Sequence, residues 1–371
     1  MAAILLLGNL EFVEGKGLEV ELVGKEELCS VARLLGVTPA LLRQGLTSKT
    51  HNVRGHLVKS ASDANLSNAT RDALAKALYC RTVATIVKRA NSLKRPALSG
   101  SMSSNESVHH EVASLHASTV GTAGSKKSSK SLAILSQAMR HASDGFIGIL
   151  DMFGFEDSKP SQLEQLCINL SSETMQHFYN THTLKTAIET CRDEGIACEV
   201  EVDYTDTAQC IDLISSLRTG LLKMLDVECS VRGCPETYVQ KVKVQQKENP
   251  RLFEPAHCDT SRTFGIHHYA GRVVYDTTDF LETNRDVIPD DLVAIFHKQS
   301  CGFGFATHLF GTEIKALYAE ETVPRGVTFR ISPTSSSEMV GEEPVSTLTQ
   351  DFHTRLDNLL RTLVSLTNGH L

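Results

Sequence analysis

The chain has 371 residues, 41% of them hydrophobic and 22% charged, the range of an ordinary globular protein long enough to bury a sizeable core. Its 37 basic and 44 acidic residues leave a net charge of −7, which argues against nucleic acid as a partner. Ten cysteines are scattered without a CxxC pair or a secretory signal, and no stretch approaches twenty apolar residues, so the pattern reads as a reduced cytoplasmic protein without a membrane span.

Ile4–Leu7 is a compact apolar run closed by Gly8-Asn9 and predicts a buried strand. Lys25–Leu35, ended by Gly36, and Pro39–Leu46 predict two helices, and residues 48–68 are polar and poorly periodic. A further helix is predicted from a cap at Thr70, with Leu74, Leu78, Ile86, Ala90 and Leu93 near one stripe and Pro96 as its stop. Residues 97–131 are serine-rich and carry too little apolar surface to offset ordering, which predicts a disordered insertion. That insertion reads either as a tolerated surface loop or as a phosphorylation platform. The segment GTAGSKKSSKS within it imitates a phosphate-binding loop, but its glycine spacing is wrong and no strand precedes it.

Phe146–Leu150 (FIGIL) predicts a strand buried on both faces. A long helix follows over 161–191, then helices near 208–226 and 235–246. Thr263–Tyr269 and Arg272–Thr277 alternate as the two strands of a hairpin. Asp290–His297 predicts a helix, 311–345 an irregular stretch, and Leu348–Leu366 a closing amphipathic helix. The pairs His109–His110 and His267–His268 lack metal-ligand spacing; adjacent residues of a strand point to opposite faces.

The segment with chemistry begins at Asp151, directly after the FIGIL run, with Gly154 three positions on. A carboxylate at a strand's carboxyl end can hold the water shell of Mg²⁺, and a glycine lets its backbone N–H approach a phosphate oxygen. DxxG alone is a weak signal, since a strand-end Asp followed by a turn Gly occurs more often as a plain turn than as a γ-phosphate sensor. The longer segment FIGILDMFGFE, followed by EQLCIN, resembles the switch II loop and relay helix of the myosin motor head over Phe146–Asn169. LLLGNLEF at 5–12 and HHYAGRVVYDTTDFLETNRDVIPDDL at 267–292 are similar to further motifs of that family, so the resemblance spans most of the chain apart from the serine insertion and 311–345.

The resemblance implies an α/β fold of the P-loop NTPase type, a partial motor domain with a mixed twisted sheet flanked by many helices. It implies that ATP and Mg²⁺ are the cofactors of the complete head, that Asp151 holds Mg²⁺ through water, that the Gly154 amide meets the γ-phosphate, and that Glu156 pairs with a switch I arginine around the attacking water. By the same resemblance 146–156 is strand plus switch II, 161–191 the relay helix, 263–277 the transducer strands, 208–246 an actin-facing helix-loop-helix and 311–345 the loop that steers encounter with actin. Val231, Arg232, Gly233, Cys234 and Pro235 at the helix-loop-helix tip would meet actin filaments, placing the protein at the actin cytoskeleton or cell cortex. No P-loop or switch I is present, so a fragment is expected, and ATP hydrolysis by these residues alone is not.

Three departures from the family pattern bear on function. Cys198 stands where the family usually has tryptophan, and the chain has no tryptophan at all, which removes apolar area from a coupling contact. The end of the relay segment is rewritten as Lys185-Thr186-Ala187-Ile188-Glu189. Residues 311–345 carry three basic against six acidic residues, net −3, which predicts slow encounter with acidic actin. These departures resemble the insect Dachs-like atypical myosins. They leave two expectations, an ATP-driven actin motor or a catalytically weak or inactive scaffold at the actin cortex in growth and polarity signalling, with signalling or cortical partners. A small GTPase is excluded by the lack of a base-reading motif.

Overall fold

Two hydrophobic clusters organise the chain, each assembled from stretches far apart in sequence. The computed structural model describes residues 1–15, 20–93, 148–197, 206–256, 259–318, 325–333 and 347–367. The serine insertion, Cys198 and parts of the 311–345 segment lie outside the described residues.

The first cluster packs helices α1 (Ala2–Leu7), α2 (Lys25–Leu35), α3 (Pro39–Thr47) and α4 (Ala64–Leu93) around the β1 (Glu11–Glu14) and β2 (Val20–Val23) hairpin. Helix α2 buries Leu28, Val31, Ala32 and Leu35 on one face and ends at Gly36, whose φ of 72° lets its N–H close on Ala32 and Arg33 carbonyls. Helix α3 starts where Thr38 accepts from the Leu41 N–H, with Pro39 in the first turn.

The Ile4–Leu7 run is helical, a correction to the predicted strand: Ala3 and Leu7 point into the core while Leu5 is exposed. A short leucine run cannot by itself distinguish the two periods, and here the helix formers Ala and Leu prevail. Residues 48–61, which show no clear pattern in sequence, form an antiparallel hairpin of β3 (Ser48–Val53) and β4 (His56–Ala61). Its turn takes positive φ at Arg54 and Gly55, steadied by Asn52 Oδ1 accepting the Gly55 N–H at 2.9 Å. Helix α4 starts at Ala64, not Thr70: Asp63 caps it by accepting the Leu66 N–H at 2.7 Å, and the Thr70 hydroxyl donates back to the Leu66 carbonyl.

The second cluster centres on α5 (Leu163–Tyr179), which runs on through a π-helical turn (Asn180–Lys185) into α6 (Thr186–Asp193). Against it pack α7 (Ala208–Ser215), α8 (Leu221–Ser230), α9 (Pro235–Gln245) and the antiparallel sheet of β5 (Leu252–Phe253), β6 (Thr263–His267) and β7 (Arg272–Asp276). Helix α10 (Phe280–Asn284) leads to β8 (Val287–Pro289) and α11 (Asp290–Ala294), which rejoin the first cluster with α12 (Gly304–Leu309). The chain then passes through α13 (Gly311–Tyr318), β9 (Thr328–Arg330) and α14 (Leu348–Thr367).

A further correction concerns the predicted strand Phe146–Leu150, of which Phe146 and Ile147 lie outside the described residues. Residues 148–150 are not a strand; Ile149 is 92% exposed and no described strand lies beside it, and a strand without a neighbour has no partner for its backbone. Among the described residues small antiparallel sheets lie between many helices, with a single parallel bridge between Ser161 and Tyr275, consistent with the expected α/β fold. The 311–345 segment is also more regular than predicted: Ile314 and Leu317 bury one face of α13, and β9 pairs with β8.

Arg81 of α4, 1% exposed, holds this last segment in place. It pairs with Glu313 at 2.8 Å, lies over the Phe310 ring, and donates to the carbonyls of Leu309, Arg330, Ile331 and Ser332. Removing the guanidinium strands a buried carboxylate and several carbonyls at once. Arg81→Met is therefore expected to lower the unfolding free energy by about 3–5 kcal/mol, read from urea denaturation; a loss below about 1 kcal/mol would contradict this role.

Candidate functional site

The loop from Asp151 to Glu156 has two unlike halves. Asp151, Phe153 and Gly154 are exposed, and a cavity of about 380 Å³ opens between Asp151, Met152 and Phe153 and the Ile168 and Ser171 side of α5. A Cβ built at Gly154 would meet nothing within 4 Å. Phe155 and Glu156 face inward. Phe155 sets its ring edge-on to His268 at 5.5 Å and to Tyr269 at 6.0 Å. The Glu156 backbone is held on both sides by Asn169: its N–H donates to Asn169 Oδ1 at 2.8 Å, and its carbonyl accepts from Asn169 Nδ2 at 2.8 Å. The Glu156 carboxylate accepts from Gln165 Nε2 at 3.4 Å, and Gln165 Oε1 accepts the Gln162 N–H in the capping box of α5.

From Asn169 a chain of buried polar groups leads away from the loop. Asn169 Nδ2 lies 2.8 Å from Tyr275 Oη, which lies 2.8 Å from His268 Nε2. His268 Nδ1 lies 3.0 Å from Glu173 Oε1, and that oxygen also accepts the Tyr269 N–H at 2.9 Å. Cys210 Sγ of α7 sits 3.6 Å from His268 Nδ1. Burial, then the Glu173 charge and hydrogen bond, push the Cys210 thiol up, and burial pushes the Tyr275 phenol up, so both keep their protons. Glu173, Cys210 and His268 are the one His/Cys/acid group with converging ligand atoms among the described residues.

The tip between α8 and α9 is built around Glu228, 2% exposed. Its carboxylate accepts from Thr237 Oγ1 and from Lys241 Nζ. Burial alone would raise this carboxyl, but the Lys241 and Thr237 hydrogen bonds hold it below its usual value. Arg232 takes a left-handed φ of 54°, and Val231, Arg232 and Cys234 stand exposed. Pro235 opens α9 at a position where its missing N–H costs nothing.

The myosin head (motor domain) family matches residues 1–101 and 131–371. The chain belongs to that family. It is 30% identical over 370 residues to the Myosin-I heavy chain of Dictyostelium discoideum, covering 98% of this chain and 13% of that protein. It is 33% identical over 312 residues to Unconventional myosin-IXAa of Danio rerio (82% and 10%), and 30% over 332 residues to Unconventional myosin IC of Drosophila melanogaster (87% and 28%). The chain thus spans under a third of the length of each of these relatives.

Within this myosin head chain, the fold brings Glu156 together with Asn169, Tyr275, His268 and Glu173, while Asp151 and Gly154 remain on the open side. No sequence motif marks these four partners as site residues. The signal available was Asn169 and Glu173, two polar residues four apart on the apolar stripe of Leu163, Leu166, Cys167 and Leu170. At the tip, a Cβ on Gly233 would come within 1.7 Å of Glu228 Oε1. Gly233→Ala is expected to displace the carboxylate from Lys241 and Thr237 and to cost about 1–3 kcal/mol. Thermal melts of Gly233→Ala, Glu228→Ala and the double variant test it; additive losses in the double variant would refute the coupling.

Proposed function

We propose that this chain forms the nucleotide-sensing and motion-relaying part of an actin-based, ATP-dependent unconventional myosin motor head. The observation that carries the reading is the two-sided hold of Asn169 on Glu156, which ties the 151–156 loop to the start of the α5 rod. Displacement of the loop would be passed to that helix rather than dissipated. The exposed carboxylate of Asp151 beside an open cavity, and the open space at Gly154, suit an approaching hydrated Mg²⁺ and phosphate. Bound Mg·ATP supplies the γ-phosphate and charge to be sensed. Asp151 would hold the ion through water, the Gly154 N–H would meet the γ-phosphate, and Glu156 would pair with a switch I arginine to orient water.

Actin filaments are the proposed macromolecular partner, met by the tip Val231, Arg232, Gly233, Cys234 and Pro235. Val231 is 63% exposed and Arg232 stands beside it, offering apolar and cationic contact to an acidic partner. The proposed setting is the cytoplasmic actin cytoskeleton, and no helix among the described residues is long and apolar enough to cross a membrane. The scaffold alternative gains no support from the relatives.

Steady-state ATP turnover of the full-length protein, with and without actin filaments, tests the reading. Turnover stimulated by actin is expected, and its complete absence in both conditions would overturn the proposal. Glu156→Ala is expected to lower turnover by roughly 10²- to 10³-fold while ATP still binds. In actin cosedimentation, Arg232→Glu is expected to weaken affinity by roughly two- to fivefold; unchanged affinity would remove the tip from the interface.

A further inference from the structure

Donor and acceptor roles in the buried chain between Glu156 and Glu173 are fixed from both ends. The Glu156 backbone N–H can only donate, so the Asn169 atom facing it is the oxygen, and the Asn169 NH₂ must face Tyr275. Tyr275 Oη therefore accepts from Asn169. Tyr275 is 0% exposed, and His268 Nε2 is the partner left for its own proton. A protonated Nε2 would leave the phenolic hydrogen buried and unpaired, at a cost comparable to a lost hydrogen bond. At the other end the Tyr269 N–H can only donate to Glu173 Oε1, which leaves that oxygen as acceptor toward His268 Nδ1.

We infer that His268, with its proton on Nδ1, and Glu173 are positioning residues that orient Tyr275 and Asn169 and thereby hold Glu156. The hydrogen bonds then run in one direction: Glu173 accepts from His268 Nδ1–H, His268 Nε2 from Tyr275 O–H, Tyr275 Oη from Asn169 NH₂, and Asn169 Oδ1 from Glu156 N–H. A one-way chain is self-reinforcing, since each donor is polarised by the next bond. It spans α5, β7, the turn after β6 and the loop itself, and the edge-on packing of Phe155 against His268 adds an apolar contact at the same place. This deepens the proposed function, because the loop being positioned is the proposed phosphate sensor. The convergence of Glu173, Cys210 and His268 offers a competing use as a metal site, which needs Nδ1 without its proton.

Long-range ¹H–¹⁵N NMR of the unmodified chain decides between these uses. The expected result is a protonated, pyrrole-like Nδ1 and a bare, pyridine-like Nε2 at His268, with no stoichiometric metal by elemental analysis. A proton on Nε2, a doubly protonated ring, or one equivalent of zinc would overturn the inference. Amide hydrogen exchange at Glu156 gives the second readout. His268→Leu cuts the chain and is expected to speed that exchange roughly three- to tenfold, with the Val242 amide of α9 unchanged as a control for folding. His268→Gln presents one acceptor and one donor and is expected to stay within about twofold of the unmodified protein. Equal acceleration in both variants would show that His268 only fills space. Neither readout needs nucleotide or actin, so a failure here and a failure of the proposed motor activity are separately visible.

Discussion

The side-chain amide of Asn169 is the constraint on which the placement of the 151–156 loop depends. Asparagine is the shortest side chain that offers a donor and an acceptor in one plane, and here it uses both against the two backbone groups of Glu156. Aspartate could accept the N–H but would repel the carbonyl, and leucine would leave both groups unpaired. Residues 148–158 belong to no helix or strand, so the loop has no ladder to fix it. Each bond contributes only about 0.5–1.5 kcal/mol, but the pair replaces the register that a strand would supply.

The same hold divides the loop into an anchored end and an open end. Phe155 and Glu156 are fixed by aromatic packing and hydrogen bonds, whereas Asp151, Phe153 and Gly154 have little around them. Local stability follows contact density, so the open end is the part free to answer a ligand while the anchored end keeps it in register with α5. That helix continues through a π-helical turn to Asp193. A π-helical turn relaxes the i→i−4 ladder locally, a frequent feature where a helix must bend in use.

How much of this could be read from the amino acids depended on whether the signal was local. Leu28, Val31, Ala32 and Leu35 repeat at helical spacing and end on Gly36, and the helix is there. Thr263–His267 and Arg272–Asp276 alternate around a Gly turn, and the hairpin is there. The Ile4–Leu7 run carries no period, so its sequence fits a strand as well as the helix that forms. The 48–61 hairpin has no clear sequence signal because its turn is Arg54-Gly55 rather than the Asn-Gly or Asp-Gly that announces such turns. The site divides the same way. Asp151, Gly154 and Glu156 fall within six residues of one another, so they are legible together as a candidate motif. Glu173 and His268 are 95 positions apart, and His268 was weighed only beside its neighbour His267, as a potential metal pair. Adjacent histidines fail as a metal pair on spacing, and spacing is blind to one of the two turning inward to meet a carboxylate on α5.

Charge counting across 311–345 shows the same limit from another direction. The sequence treats its nine charged side chains as equal members of one solvated loop. In the fold, Glu313 is buried against Arg81, Arg330 pairs with Asp351, and Arg325 pairs with Asp290 and Asp291. Charges neutralised by close partners project little field beyond a Debye length of about 8 Å. Lys315 alone among the described cations of this segment is exposed without an ion-pair partner, and the acids Glu320, Glu321, Glu338, Glu342 and Glu343 lie outside the described residues. The described part of the segment therefore serves the fold, with Arg81 as its anchor.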